Sequence, residues 1–227
     1  AYCPFIECER HPNIELLSYA EVGSLEGEAG DFCVSILKKS RYVDAERCTG
    51  CGDCALVCPV EVARELGEGL EKRKAIYRPY PQAIPSTYLI DKEACTECGE
   101  CLKVCKAEAI DLGMEDAHLQ LGVGAVILTP GFHPFPAELK GEFGYGRYPN
   151  VVTGFQFERM LSLTSPSHGL PQRPSDGQPP KRIAFIQCVG SRDHSRGYCS
   201  SVCCMYATKQ ATLARERAPE SEITLFY

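Results

Sequence analysis

The sequence predicts a mixed α/β and α+β fold, in which a β-meander and a cysteine-rich metal-binding module precede a βαβ unit of a doubly wound sheet. Residues 31–38 alternate apolar and polar side chains, as a half-buried strand does. Residues 41–115 carry a motif of four closely spaced cysteines twice. A strand, a loop, a helix and a second strand then end the sequence, in the order of a parallel sheet. We therefore expect three domains, at 1–40, 41–115 and 116–227.

The remaining elements are predicted from local patterns. Short apolar stretches indicate strands at 14–19 and 21–25, ahead of a glycine-rich turn. The continuous apolar run at 122–128 is typical of a buried parallel strand. Two stretches rich in proline are expected to be surface loops, at 72–88 and 165–181. The βαβ unit is expected to consist of a strand at 182–188, a helix at 200–217 and a strand at 223–227.

Composition restricts the classes of function. With a net charge of −6, we expect no basic surface of the kind that binds nucleic acid. No apolar run approaches the roughly 20 residues that span a bilayer, and no signal peptide opens the sequence, so we expect no membrane insertion and a reducing cytoplasm. The odd number of fifteen cysteines, and their clustering, favour metal ligation over disulfides. Because the last residues read as a strand that is still running, we expect a fragment, or a subunit whose neighbouring segments are missing.

Two runs of C-x-x-C-x-x-C-x-x-x-C, at Cys48–Cys58 and Cys95–Cys105, have the spacing of bacterial ferredoxins with two 4Fe–4S clusters. In that pattern three cysteines of one run hold one cube, and the fourth cysteine reaches the other cube. Glycines inside the runs are expected to let backbone N–H groups approach the cluster sulfurs; they are Gly50, Gly52 and Gly99. Cluster 1 is assigned to Cys48, Cys51, Cys54 and Cys105. Cluster 2 is assigned to Cys95, Cys98, Cys101 and Cys58.

A third cysteine group lies in the predicted βαβ unit. Cys188 ends its first strand, Cys199 lies in the loop, and Cys203 and Cys204 begin the helix. Positions i, i+4 and i+5 share one side of a helix, so these side chains could face Cys188 and supply four thiolates to one cluster. Buried thiols in the core, or a redox-active pair of adjacent cysteines, are the alternatives. The loop lacks the G-x-G-x-x-G fingerprint of dinucleotide binding.

The sequence resembles the A subunit of heterodisulfide reductase, an iron–sulfur flavoprotein of methanogens with relatives in sulfate reducers. The resemblance covers nearly the whole sequence and is carried by residues 10–17, 41–44, 73–85, 185–193 and 198–210. It implies that a two-cluster bacterial-type ferredoxin domain is inserted into a thioredoxin-reductase-like, Rossmann-type flavoprotein domain. The segments before and after the cysteine-rich module would then be two parts of that flavoprotein-like domain.

The resemblance also implies cofactors and partners. The third cysteine group matches the family's non-standard cluster pattern, which implies a third 4Fe–4S cluster. FAD is implied, with a contact at Thr129 and Gly131, where the family's Ala-Thr-Gly turn reads Thr-Pro-Gly. The family's first βαβ unit, which carries its main FAD fingerprint, has no counterpart here. The implied function is electron transfer between FAD and other subunits of a heterodisulfide reductase-like complex. Its donor would be a hydrogenase, a formate dehydrogenase or a ferredoxin.

Two other functions fit part of the pattern. One is an NAD(P)H-linked iron–sulfur flavoprotein oxidoreductase, which the missing glycine fingerprint disfavours. The other is a zinc-stabilised interaction module with no redox role. Structural zinc sites typically join two C-x-x-C arms around one ion, and the repeated run of four cysteines does not follow that pattern.

Isolated cysteines and charges receive simpler interpretations. Cys33 is expected to be a buried thiol in its strand, and Cys3 and Cys8 are expected to pack in the core rather than to bind metal. The basic run at 72–74 is expected to form a solvated face.

Overall fold

The computed structural model describes residues 4–227 and divides them into two compact units. The first unit contains the described residues up to Val62 together with Arg73–Pro130. The second contains Ala63–Lys72 and Gly131–Tyr227. No helix of this described part is long and apolar enough to cross a membrane. The three-domain division of the sequence stays a prediction.

Both units contain short helices and strands. The strands are β1 (Ala20–Glu28), β2 (Asp31–Lys38), β3 (Glu61–Ala63), β4 (Lys72–Lys74), β5 (Ile76–Tyr77), β6 (Leu89–Ile90), β7 (Ala117–Val123), β8 (Arg182–Ile186) and β9 (Glu222–Phe226). The α-helices are α1 (Pro4–Arg10), α2 (Asp53–Val57), α3 (Glu100–Val104), α4 (Gly154–Met160) and α5 (Cys203–Arg217). Single turns of 3-10 helix lie at Glu65–Gly67, Ala137–Leu139 and Gly141–Phe143.

The β-meander is an antiparallel sheet in the order β1-β2-β7. Val34 of β2 pairs with Leu25 on one side and Leu121 on the other, so apolar side chains share one face of the sheet. The strand predicted at 31–38 is confirmed. The strand predicted at 14–19 is wrong, because Tyr19 has a left-handed backbone (φ 57°) and β1 begins only after it, at Ala20.

The buried parallel strand predicted at 122–128 is also wrong. The strand there, β7, is antiparallel to β2, and it ends at Val123, opposite Phe32 near the start of β2. One more backbone hydrogen bond follows, from the Gly30 N–H to the Gly124 carbonyl at 3.0 Å, and there the partner chain turns back into β1. The rest of the apolar run is therefore not in a strand. Ile127 is 89% exposed and Leu128 is 77% exposed.

Two copies of the cysteine motif interlock in the rest of the first unit. The segment before each motif bonds to the other copy, since Val43 bridges to Ile110 and the Ile90 N–H bonds to the Arg41 carbonyl. Helices α2 and α3, which carry the third cysteine of each run, pack against one another. Val43, Ile76 and Ile90 are each at most 2% exposed and form the core beneath both cysteine loops.

The surface loop predicted at 72–88 contains strands β4 and β5. In its basic run Lys72 is exposed, as predicted, but Arg73 is buried. The side chain of Arg73 is only 4% exposed. Its guanidinium bonds to the Asp91 carboxylate at 2.8 Å and lies 3.8 Å from the centre of the Tyr77 ring. This ion pair and the ring contact allow the charge to be buried.

The second unit confirms the predicted βαβ arrangement. Strands β8 and β9 are parallel, with Ile183 opposite Ile223, and α5 connects them. The helix begins at Cys203, three residues later than predicted, because Ser201 has a left-handed backbone (φ 65°). Its last residue, Arg217, is the predicted one. The larger Rossmann-type flavoprotein sheet stays a prediction.

A small core lies between α4, α5 and β8. It is built from Phe157, Met160, Leu161 and Ala214, with Phe185 packed against it. The predicted loop at 165–181 contains no helix or strand in the described chain. Ser165 and Ser167 inside it are nevertheless buried, and each donates a hydrogen bond to the Met160 carbonyl at 3.0 Å.

We expect Phe157→Ala to lower the free energy of unfolding by about 3–5 kcal/mol. Phe157 is 8% exposed and packs edge-to-face on Phe185, with ring centres 5.5 Å apart. Urea denaturation followed by circular dichroism measures the loss. The control is Leu163→Ala, which removes a side chain that is 72% exposed and is expected to change stability by at most about 0.5 kcal/mol. Equal losses in the two variants would contradict this core assignment.

Candidate metal centres

An aspartate starts each ferredoxin-like cysteine loop in the same way. The Asp44 carboxylate accepts a hydrogen bond from the Glu46 N–H at 2.8 Å, and the Cys48 N–H bonds to the Asp44 carbonyl at 2.9 Å. In the second copy, the Asp91 carboxylate accepts from the Ala94 N–H at 3.2 Å, and the Cys95 N–H bonds to the Asp91 carbonyl at 3.0 Å. The internal repeat therefore has a structural basis, in which each aspartate turns the chain into its first cysteine.

Residues with a left-handed backbone conformation then bend both loops. Gly50 (φ 70°) and Glu97 (φ 53°) occupy equivalent positions, and Gly52 and Gly99 precede α2 and α3. A Cβ atom on Gly50 would lie 2.7 Å from the Ser86 carbonyl oxygen, so this loop has no room for a side chain there.

Four cysteines line one pocket of the first unit. They are the set predicted for cluster 2, namely Cys95, Cys98, Cys101 and Cys58. Most of the other lining residues are apolar, among them Val60, Ala75, Ile76, Ile90 and Leu112, and Thr96 and Glu97 also line the pocket. Cys58 reaches this pocket from the first copy of the motif. Four thiols around a space with mostly apolar walls suit a thiolate-ligated cube, so these residues fit the group that the motif implies.

The cysteines of the first loop lie on the same core. Cys54 is buried in the hydrophobic core. Cys48, and Cys105 from the second copy, pack against the same core. Burial raises the pKa of the Cys54 thiol to about 12, and negative charge at Cys48 and Cys51 adds to the increase. A thiolate at this position needs a compensating positive charge, which a bound metal supplies. The cluster 1 ligand set therefore fits a metal as well.

The third cysteine group is gathered around the start of α5. The Ser200 hydroxyl donates to the Cys203 sulfur at 3.1 Å and lowers the pKa of that thiol. The charge of Cys203 raises the pKa of Cys204, with smaller contributions from burial and from Cys188 and Cys199. The four cysteines therefore lie within electrostatic reach of one another, as shared ligation requires. Within residues 4–227, however, no three His, Cys, Asp or Glu side chains converge closely enough to hold a single metal ion.

The loop between Cys188 and Cys199 is organised by residues that sequence reasoning missed. Arg192 donates to the Cys188 sulfur at 3.8 Å. Lys140 pairs with Asp193 at 2.8 Å, and this ion pair, with hydrogen bonds from Ser195, holds the pKa of Asp193 well below its usual range. The sequence offers no periodic signal for such pairing, because Lys140 is distant along the chain.

The remaining cysteines are not brought into these groups. Cys33 is exposed, which corrects the prediction of a buried thiol, because its strand places it on the polar face with Ser35. Cys8 is partly buried and free. Cys3 lies outside the described residues. All cysteines of residues 4–227 are free thiols.

The predicted flavin contact lies in an exposed segment. Thr129 and Gly131 are both exposed and belong to no helix or strand. A Cβ atom on Gly131 would meet no atom within 4 Å. By themselves these two residues form no cradle for a flavin.

We expect Gly50→Ala to lower the iron and sulfide content of the purified protein, because the new methyl group meets the Ser86 carbonyl and displaces the cluster 1 loop. The control is Gly69→Ala, at a similar φ of 75° but with no atom within 4 Å of the new Cβ. Both variants carry backbone strain of about 1–2 kcal/mol, whereas only Gly50→Ala is expected to lose iron. Equal iron content in both would contradict the steric explanation.

The sequence is similar to those of known iron–sulfur proteins. The family model for 4Fe–4S dicluster domains matches residues 47–109. One iron–sulfur A subunit of CoB–CoM heterodisulfide reductase from Methanopyrus kandleri is 54% identical over 98% of this chain and 34% of its own length. The A subunit of the H2/formate:CoB–CoM heterodisulfide,ferredoxin reductase from Methanococcus maripaludis is 51% identical over the same shares.

A third relative extends the comparison. The A subunit of the ferredoxin:CoB–CoM heterodisulfide reductase from Methanosarcina mazei is 45% identical over 97% of this chain and 28% of its own length. The chain thus spans about a third of the length of these relatives. Over that stretch it contains an iron–sulfur dicluster domain and is a homologue of the A subunits of heterodisulfide reductase.

Proposed function

We propose that this chain is the iron–sulfur part of an oxidoreductase subunit, relaying electrons between FAD and partner subunits of a heterodisulfide reductase-like complex. The observation that carries the proposal is the pocket lined by Cys58 together with Cys95, Cys98 and Cys101. A cysteine from one copy of the motif enters the site of the other copy, as the two-cluster ferredoxin pattern requires.

The chain's own residues would fix the two clusters and limit their contact with water. Cluster 1 would be held by Cys48, Cys51, Cys54 and Cys105, and cluster 2 by Cys95, Cys98, Cys101 and Cys58. When bound, each cluster supplies a site for one electron. Ile76 and Ile90, both buried in the core, line the cluster 2 pocket. Their apolar side chains keep the local dielectric low, which makes nearby charges effective in setting the potential.

The third cysteine group is proposed to hold another 4Fe–4S cluster through Cys188, Cys199, Cys203 and Cys204. Its support is the mutual electrostatic influence of these side chains and the hydrogen bonds to their sulfurs. The Ser201 N–H donates to Cys199 at 3.3 Å, and Arg192 donates to Cys188 at 3.8 Å. Donors of this kind stabilise thiolates and tune cluster potential.

The partners are proposed from chemistry that the relatives' names state. One relative is named for H2 or formate, and another for ferredoxin, as reactants of CoB–CoM heterodisulfide reductases. We infer that this chain serves a similar complex, with a hydrogenase, a formate dehydrogenase or a ferredoxin as donor. An NAD(P)H-linked flavoprotein is the weaker alternative, because the Cys188–Cys199 loop carries no phosphate-binding glycine fingerprint.

Metal analysis tests the proposal. Anaerobically purified protein is expected to contain about twelve irons and as many sulfides, in three cubes of the cysteine-ligated type. Reduction with dithionite is expected to produce the EPR signals of reduced 4Fe–4S clusters. Stoichiometric zinc without sulfide would refute the redox function and favour the zinc-stabilised module.

Substitution separates the third cluster from the other two. The double variant Cys203→Ala/Cys204→Ala is expected to lose about four irons, the content of one cube. Cys33→Ala is the matched control, because Cys33 is an exposed thiol of the β-meander and is assigned to no cluster. An unchanged iron count in the double variant would overturn the third site and leave the other two assignments standing.

A further inference from the structure

Arg41 is a partly buried cation beside the cluster 1 loop. We propose that Arg41 is the counter-charge of cluster 1 and holds its reduction potential above that of cluster 2. The inference rests on the proposed function, since both clusters must be bound. It predicts which of the two clusters has the higher reduction potential, although the repeated cysteine motif alone makes the two sites equivalent.

The guanidinium of Arg41 has few partners in the protein. Its Nη2 atom donates to the carbonyl and the hydroxyl of Thr87, at 3.4 and 3.3 Å. Its Nε atom is buried without a hydrogen-bond partner among the described residues. No carboxylate of residues 4–227 forms an ion pair with it. Within the described chain, the positive charge is therefore not neutralised.

The contacts of Arg41 lead to the cluster 1 loop. Its partner Thr87 follows Ser86, whose carbonyl oxygen lies 2.7 Å from the position of a Cβ atom on Gly50 in that loop. Burial lowers the pKa of Arg41, and interaction with Cys48, a proposed ligand of cluster 1, opposes that effect. An arginine stays protonated in proteins, so its charge is permanent. A partly desolvated charge without a partner is costly, and a bound cluster with four thiolates supplies the missing negative charge.

Cluster 2 has basic neighbours whose charges are already paired. Lys92, whose charge interacts with Cys95, bonds to the carboxylate of Glu97 at 2.5 Å. Arg73 bonds to Asp91 at 2.8 Å. No lysine or arginine lines the pocket that contains the cluster 2 cysteines. The cations near cluster 2 are thus matched by carboxylates, in contrast to Arg41.

The sequence repeat shows the same asymmetry. Arg41 precedes the first cysteine of its motif by seven residues, and the equivalent position of the second copy holds Tyr88. The two halves therefore differ in charge at matched positions although their cysteine spacing is identical. Reduction adds a negative charge to a cluster, so a nearby buried cation favours the reduced form and raises the potential.

Potentiometric EPR titration of the full chain tests whether cluster 1 has the higher reduction potential. Arg41→Gln is expected to lower the potential of cluster 1, changing its one-electron equilibrium by about tenfold, or about 59 mV, without moving cluster 2. Arg41→Lys keeps the positive charge and is expected to keep most of the difference in potential between clusters 1 and 2. Cys51→Ser and Cys98→Ser identify the signals of clusters 1 and 2, because each variant perturbs one ligand set.

Arg47→Gln is the matched control for charge. Arg47 adjoins Cys48 in sequence, but its side chain is 52% exposed and pairs with Glu108, so its removal is expected to shift the potential by less than about twofold in the equilibrium. Equal shifts for Arg41→Gln and Arg47→Gln, or a shift of both clusters together, would overturn the role of Arg41.

Two outcomes keep this inference separate from the proposed function. If the parent protein lacks iron and sulfide, the proposed function fails. If the parent protein holds both clusters but cluster 2 has the higher potential, the inference alone fails. The second measurement needs no Arg41 variant, so it decides the order even where Arg41→Gln does not fold.

Discussion

The two copies of the cysteine motif depend on one another through main-chain hydrogen bonds that cross between them. The Asp111 N–H bonds to the Tyr42 carbonyl at 3.1 Å, and the Ile90 N–H bonds to the Arg41 carbonyl at 3.0 Å. Both crossings lie next to the shared core of the cysteine loops. Because each copy completes the backbone pairing of the other, neither loop is positioned by its own copy alone. The cysteine sites of this unit therefore form together.

Charge is distributed unequally over this interlocked scaffold. Most basic side chains near the cysteines have carboxylate partners, such as Arg73 with Asp91 and Lys92 with Glu97. Arg41 bonds only to neutral oxygens of Thr87 among the described residues. Nearly equal backbones thus present different electric fields to the two proposed clusters. Such differences set redox potentials, because net charge and solvent exposure act on a cluster whose ligands are otherwise identical.

The βαβ unit of the second unit positions the third cysteine group. The loop after β8 is fixed by the Lys140–Asp193 ion pair and by Phe135, whose ring leaves no room for a side chain on Gly190. The helix α5 begins at Cys203, where the positive end of its dipole and the Ser200 hydroxyl favour a thiolate. Cysteines occupy the place where a dinucleotide-binding unit carries phosphate-binding glycines.

The sequence by itself determined the features that depend on local chemistry. Cysteine spacing indicated the dicluster domain, alternation at residues 31–38 indicated β2, and the apolar pattern at 182–227 indicated the parallel βαβ unit. Only the tertiary structure decided the features that depend on a distant partner. The apolar run at 122–128 leaves the sheet because its partner chain turns from β2 back into β1 at Gly30. Arg73 is buried because Asp91 and Tyr77 contact its guanidinium. Hydrogen-bond and charge partners are set by the folded chain, and local sequence patterns do not encode them.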